Sequence, residues 1–273
     1  MITTRDLEIF KKLHSYGMLS TKQVNELVFS SIAITTVLRR LRLLETGSYV
    51  KRILGLESQD VLWVLTEKGA SKIGLEVPKK NWSKSMLEHD FKLLQLRLRM
   101  EGCGIARSWK PEHEIRSMIF KQSGYRGAKE KLIPDGLMSV EVNDRMESIS
   151  VEMELTLKNS TRYDQTFRRY AGKENIHAIW YVAPTEGILN QVFRRWKKTK
   201  ELYRIPNLYL SLLGEVTSDP LRARLMGEKS FQIERAWTAH LPAQRVSKES
   251  SIQEHRKTDL SSEDHTPIEE NVA

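Results

Sequence analysis

Apolar residues recur at helical spacing three times before Gly47. Leu7, Phe10 and Leu13 predict a first helix, which Thr3 or Thr4 caps and Gly17 ends. Ser20-Thr21-Lys22-Gln23 has capping-box spacing and opens a second helix carrying Val24, Leu27 and Val28. A third is predicted from about Ser31 to Glu45, with Val37, Leu38, Leu41 and Leu44 as its apolar stripe. The period then shortens. Tyr49 to Ile53 and Val61 to Leu65 read as two short strands around the polar run from Gly55 to Asp60. Thr66-Glu67-Lys68-Gly69-Ala70 starts a closing helix. Three helices followed by a small hairpin predict a winged helix-turn-helix over residues 1–76.

Residues 77–84, with Pro78 and a charge cluster, are predicted as a linker to a second domain over 85–243. That domain opens with a strongly periodic helix from Met86 to Met100, ended by Gly102 and Gly104. Pro134-Asp135-Gly136 reads as a turn into a strand. From Ser148 to Lys158 the chain alternates, with Ile149, Val151, Met153, Leu155 and Leu157 on one side and Ser150, Glu152, Glu154, Thr156 and Lys158 on the other. A helix (160–171), a continuously apolar strand (176–182), a basic helix (185–201) and a further strand (207–213) follow. This order predicts a mixed α/β sheet with helices on its faces, and an α+β fold class for the whole chain. Residues 244–273 are polar and charged, and are expected to be a disordered tail.

Charge sharpens this picture. The chain carries a formal +9 and has a pI near 9.5. The tail holds four Lys/Arg against seven acids, so the body is +12. Such a balance points to a polyanionic partner. One cysteine, Cys103, excludes a disulfide framework and fits a reducing compartment. No apolar run approaches a membrane span, and the first residues lack the apolar core of a signal peptide, so a cytoplasmic protein is expected.

Two sets of residues carry chemistry. The third helix is of a size to enter the major groove of duplex DNA, with Ser31, Thr35 and Thr36 at its polar N-terminal side and Arg39 and Arg40 behind. Lys51 and Arg52 stand where a wing strand meets phosphate. The arginines fit equally the solvated face of a core helix, and winged helices also serve as protein–protein modules. In the second domain, Glu152 and Glu154 point the same way, roughly 7 Å apart. A hairpin would bring Asp135 beside them. Three converging carboxylates suit a hard divalent cation such as Mg²⁺, which polarises phosphodiesters, with Lys158 on the same face for developing phosphate charge. The bland alternative is that these side chains form the wet face of a strand and Pro-Asp-Gly a simple turn.

Four stretches together resemble the replication-relaxation proteins and the related mobilisation-type relaxases of bacterial plasmids and integrative elements. They are Gly17 to Gln23 with Val37 to Leu41; Leu65 to Gly69; the helix beginning Leu87-Glu88-His89-Asp90; and Pro134-Asp135 followed by Val151 to Glu154 and a basic helix ending in Tyr170. The resemblance covers most of residues 1–240. It implies a winged helix fused to a domain similar to the PD-(D/E)xK nucleases. Asp135 then matches the first acid and Glu152 the second, while Glu154 stands where the nuclease lysine usually lies. Lys158 is a replacement for that lysine, and Glu88 and His89 are candidates to complete the site. A covalent tyrosine, Tyr163 or Tyr170, is a further possibility, against simple packing on the sheet. Three functions stay open. One is metal-dependent nicking of plasmid or mobile-element DNA in replication or mobilisation. Another is a non-catalytic transcriptional regulator, acting as a homodimer. The third is an assembly adaptor using the basic helix or the tail.

Overall fold

The computed structural model describes residues 1–53, 61–77, 83–128 and 131–237. The predicted wing tip, most of the predicted linker and the predicted disordered tail lie outside the described residues.

The N-terminal part is built from α1 (Thr4–Tyr16), β1 (Leu19–Ser20), α2 (Thr21–Val24, continued by a π-helical turn Asn25–Phe29), α3 (Ile34–Thr46), β2 (Val50–Ile53), β3 (Leu62–Leu65) and α4 (Glu67–Ser71). The expected capping box of Ser20 with Gln23 forms, and Thr3, one of the two expected caps of α1, makes a second box with Asp6. Gly17 leaves α1 with φ 79°, a conformation that favours glycine. α3 starts three residues later than predicted, at Ile34, with Ala33 as an N-cap that offers no side-chain hydrogen bond. The strands form one sheet in the order β1-β3-β2, which with the three helices is a winged helix. Its core collects Ile9, Phe10, Leu13, Val24, Val37, Leu41, Leu44 and Trp63. Trp63 is fully buried, and its indole N–H donates to Thr21 Oγ1 at 2.9 Å, tying β3 to α2.

α5 (Lys84–Gly102) serves two cores. Leu87, Phe91 and Leu94 pack with the winged helix, whereas Leu96 and Met100 pack under the second sheet. Arg97 on α5 donates to the Ser15 carbonyl at 2.6 Å, and Tyr16 donates to Glu101 at 2.6 Å. These partly buried polar bonds fasten α5 to the end of α1.

The second sheet has five strands in the order β4-β5-β6-β7-β8: β4 (Ser108–Pro111), β5 (Gly136–Val142), β6 (Arg145–Met153), β7 (Ala178–Ala183) and β8 (Asn207–Leu212). The first three strands pair antiparallel and the last three parallel. α6 (Glu112–Ala128) lies between β4 and β5, α7 (Ser160–Arg169) between β6 and β7, and α8 (Glu186–Lys200) between β7 and β8. The chain closes with α9 (Leu213–Ser218), β9 (Arg224–Leu225), β10 (Phe231–Gln232) and α10 (Ile233–Trp237). The sheet is sandwiched. Ile149, Val151, Met153, Trp180 and Val182 face a core shared with α5, α9 and α10. Ile179, Tyr181, Leu208 and Leu210 face one shared with α7 and α8.

β6 ends at Met153, although the alternation in sequence runs on to Lys158. Its ladder with β7 closes where Glu154 N–H donates to the Val182 carbonyl at 2.9 Å. β7 stops just beyond, before Pro184, which has no N–H to extend the pairing.

Candidate functional site

On α3, Val37, Leu41 and Leu44 turn inward, so the opposite side faces solvent. Thr35, Arg39 and Arg42 stand at i, i+4 and i+7 and form one exposed stripe, with Thr36 beside it. Ser31 is exposed just ahead of the helix, and Lys51 is exposed on β2. Arg52 is partly engaged, since its Nε donates to Glu45 at 2.8 Å. Arg40 is not on the stripe. Its guanidinium Nε donates to Asp6 Oδ1 at 2.8 Å, its NH2 group also reaches Asp6, and it donates to the Met1 carbonyl at 3.1 Å. Asp6 is 1% exposed. A carboxylate that deep needs a counter-ion, and Arg40 supplies it. Arg40, expected at the DNA face, is thus committed to Asp6 and acts as a structural clamp between α1 and α3.

The second site lies on the α7 side of the large sheet. Asp135 immediately precedes β5 and accepts the Met153 N–H at 2.8 Å, which fixes it against the end of β6. Glu152 points from β6 into the same space. Glu154, 3% exposed, follows it. All three line one polar cavity of about 740 Å³, together with His89, Lys158, Tyr163 and Tyr181, and with Arg162 and Arg169 from α7. The face that alternation alone would leave wet is therefore covered by helices: Ser150 on it is fully buried.

Each acid has an internal partner. His89 Nε2 sits 3.3 Å from Asp135 Oδ2 and 3.2 Å from the Met153 carbonyl, and its Nδ1 is 3.3 Å from Asp90. Burial opposes a charge on this imidazole, but the hydrogen bonds to Asp135 and Asp90 outweigh it and push its pKa up to about 10. Glu152 accepts from the Tyr170 hydroxyl at 2.5 Å. Burial, and then the nearby Asp135 charge, raise the Glu152 carboxyl to about 8. Burial also raises Glu154, against the pull of Lys158, whose ammonium is 2.8 Å away. Lys158 is brought there by the loop after β6, not by a continuing strand.

Asp135, Glu152, Glu154 and Lys158 are thus gathered at one place, and His89 joins them. Glu88 does not: it is exposed and pairs with Lys92 at 2.8 Å. Tyr163 and Tyr170 are 1% and 0% exposed. The Tyr163 hydroxyl accepts the Lys158 N–H at 3.2 Å, and that of Tyr170 lies between Ser150 and Glu152. Both are packed and bonded, which suits neither to act as a free nucleophile. Sequence reasoning missed Tyr181 and the α7 arginines at the site. The spacing of Arg162, Thr166 and Arg169, at i, i+4 and i+7, is the one sequence signal for the latter.

The atom types and charge of this donor set suit a hard divalent cation. The arrangement does not: among the described residues no group of three His, Cys, Asp or Glu is placed to hold a metal ion. His89 occupies the space between Asp135 and the Met153 carbonyl, and Glu152 and Glu154 are turned to Tyr170 and Lys158.

No family model and no curated protein matches the chain, so the resemblance above rests on its quoted motifs. Among solved structures, the chain is similar to the restriction endonuclease FokI bound to DNA, with a TM-score of 0.27 and 11% identity. It is also similar to FokI alone, at 0.26 and 12%. In both cases the match covers 79% of this chain and 43% of the other. Among the described residues no helix is long and apolar enough to cross a membrane.

Proposed function

We propose that the protein binds duplex DNA sequence-specifically, with α3 in the major groove and the wing strands against the backbone. The observation that carries this is the exposed stripe Thr35, Arg39 and Arg42 on the third helix of a winged helix, supported by a basic body. Arg39 is long enough to present its guanidinium fork to a guanine edge, and threonine serves hydrogen bonding or a thymine methyl. Ser31 and Lys51, both exposed, would meet phosphates and set the register in this reading. Arg52 does so on leaving Glu45. The setting, DNA of a plasmid or mobile element during replication or mobilisation, is supported by the quoted motifs alone.

Arg39→Ala is expected to weaken binding to the selected site by about 5- to 150-fold, the range for removing one bidentate hydrogen-bond pair to a base. Binding to unrelated duplexes should hardly change. In-vitro selection followed by titration of wild type and variant measures both. An unchanged ratio of specific to unrelated affinity would remove α3 from recognition. A footprint of two half-sites about 34 Å apart would mark a homodimer.

A second reading is phosphodiester cleavage at the acidic cavity, aided by Mg²⁺. It is favoured by three acids opening into one cavity rimmed with Lys158, Arg162 and Arg169. On this reading, which requires the acids to leave His89, Tyr170 and Lys158, supercoiled plasmid carrying the selected site would be nicked in Mg²⁺ or Mn²⁺ by wild type and not by Asp135→Ala or Glu152→Ala. Equal nicking by the variants, or none by any, leaves the regulator, in which the internally paired acids only hold the fold.

A further inference from the structure

We propose that the joined outer surface of α7 and α8 is a second DNA-binding surface, one that grips the phosphate backbone without regard to sequence; this rests on the duplex-DNA reading above. Residues 160–204 hold ten Lys/Arg against four Asp/Glu, a net +6 within a chain of +9. Two of those acids are already paired, Asp164 with Arg195 and Glu174 with Arg204. Arg168, Arg194, Lys197 and Lys198 are exposed, and none has an ion pair among the described residues.

The helices hold these cations together. Gln191 donates to Ser160 at 3.2 Å, and Arg195 Nε donates to Asp164 at 2.7 Å. Both partners advance by four residues between the two bonds, so α7 and α8 run side by side in the same direction. One turn further, Arg168 comes alongside Lys198 and Thr199. Arg194 and Lys198, four apart, share one side of α8. Lys197 lies over the Phe193 ring at 5.0 Å, which steadies its stem.

Solvation alone is a poor account of this surface. Cations in the last turn of a helix are favoured by the dipole, which covers Lys197, Lys198 and Arg168. Arg194 is not in the last turn, and like charges at i, i+3 and i, i+4 destabilise a helix. A regularly spaced polyanion relieves that repulsion, and duplex DNA is the polyanion the winged helix would already engage.

The test compares the full chain with the combined variant Arg168→Gln, Arg194→Gln, Lys197→Gln, Lys198→Gln. All four side chains are exposed, and an unchanged thermal melt verifies folding. Affinity for the selected duplex and for an unrelated duplex is titrated across salt concentration. The slope of log K against log salt is expected to become shallower by about 2 to 3.6, at about 0.9 for each phosphate no longer neutralised. Affinity should fall by the same factor on both duplexes, leaving their ratio intact. An unchanged slope overturns the proposal and assigns the surface to another acidic partner. A reduced slope with a collapsed ratio overturns it as well, because the surface would then be reading sequence. The Arg39→Ala variant separates the two claims: it tests recognition by α3 through the ratio, whatever the slope does.

Discussion

Arg40→Ala is expected to cost the fold about 3 kcal/mol, the low end for removing one partner of a buried ion pair. The low end applies because Asp6 keeps its hydrogen bonds from Thr3 N–H and Oγ1, at 2.7 and 2.8 Å. Burial alone would push the Asp6 carboxyl up, but the bonds from Arg40 and Thr3 outweigh it and hold the pKa below 3.8. A lowered folded-state pKa gives stability that is complete above the unfolded value and lost as pH falls through the folded one. The deficit of Arg40→Ala should therefore be full at pH 7 and shrink as pH drops below about 4. Denaturant titrations from pH 7 to pH 3 measure it. A deficit that stays constant over that range would mean that Arg40 acts by packing rather than by charge. The double variant Asp6→Asn, Arg40→Met should recover part of the loss, since it leaves no buried carboxylate unpaired. A loss of DNA binding in Arg40→Ala would then be a folding effect, unlike the loss expected for Arg39→Ala under the proposed function.

Glu152→Gln is expected to stabilise the protein, increasingly so as the pH rises from about 4.5 to about 8. Glutamine has the same shape and can still accept the Tyr170 hydrogen bond, but carries no charge into the space shared with Asp135. Because the Glu152 pKa is raised in the folded state, the unfolded chain releases this proton first. The stability of the protonated form is complete below the unfolded pKa and is lost progressively up to about 8. At about 1.4 kcal/mol per pKa unit, the gap between variant and wild type should grow to on the order of 5 kcal/mol and level off above about pH 8. Equal stability across the range would show that the carboxyl ionises normally. The expected stabilisation would instead mean that at neutral pH the cavity holds a mostly protonated Glu152 beside the His89–Asp135 pair, less negative than three carboxylates suggest.

Much of the architecture could be read from the chain. The helical and alternating periods located α1 to α3, the wing strands and the run from β5 to β8, because burial on one face imposes its period wherever an element packs. The elements that escaped have weak local signals. β4 contains only four residues and ends in Pro111, and Gly124 breaks the helical backbone of α6 at φ 64°. β9 and β10 are two-residue strands that exist only through pairing with one another.

The sequence by itself determined which residues share a face: Thr35 and Arg39 opposite the α3 core, and Ser150, Glu152 and Glu154 opposite Ile149, Val151 and Met153. A period assigns a side chain to a face, and it carries no information about what covers that face. The tertiary structure decided that α7 covers the acids, which converts a wet strand surface into a cavity that shifts the pKa values of Glu152 and Glu154. It also decided that His89, 64 residues before Met153, reaches that carbonyl, and that Arg40 turns to Asp6, 34 residues away, instead of to solvent. Such choices follow from the cost of an uncompensated buried charge, and that cost is set only once distant segments have met.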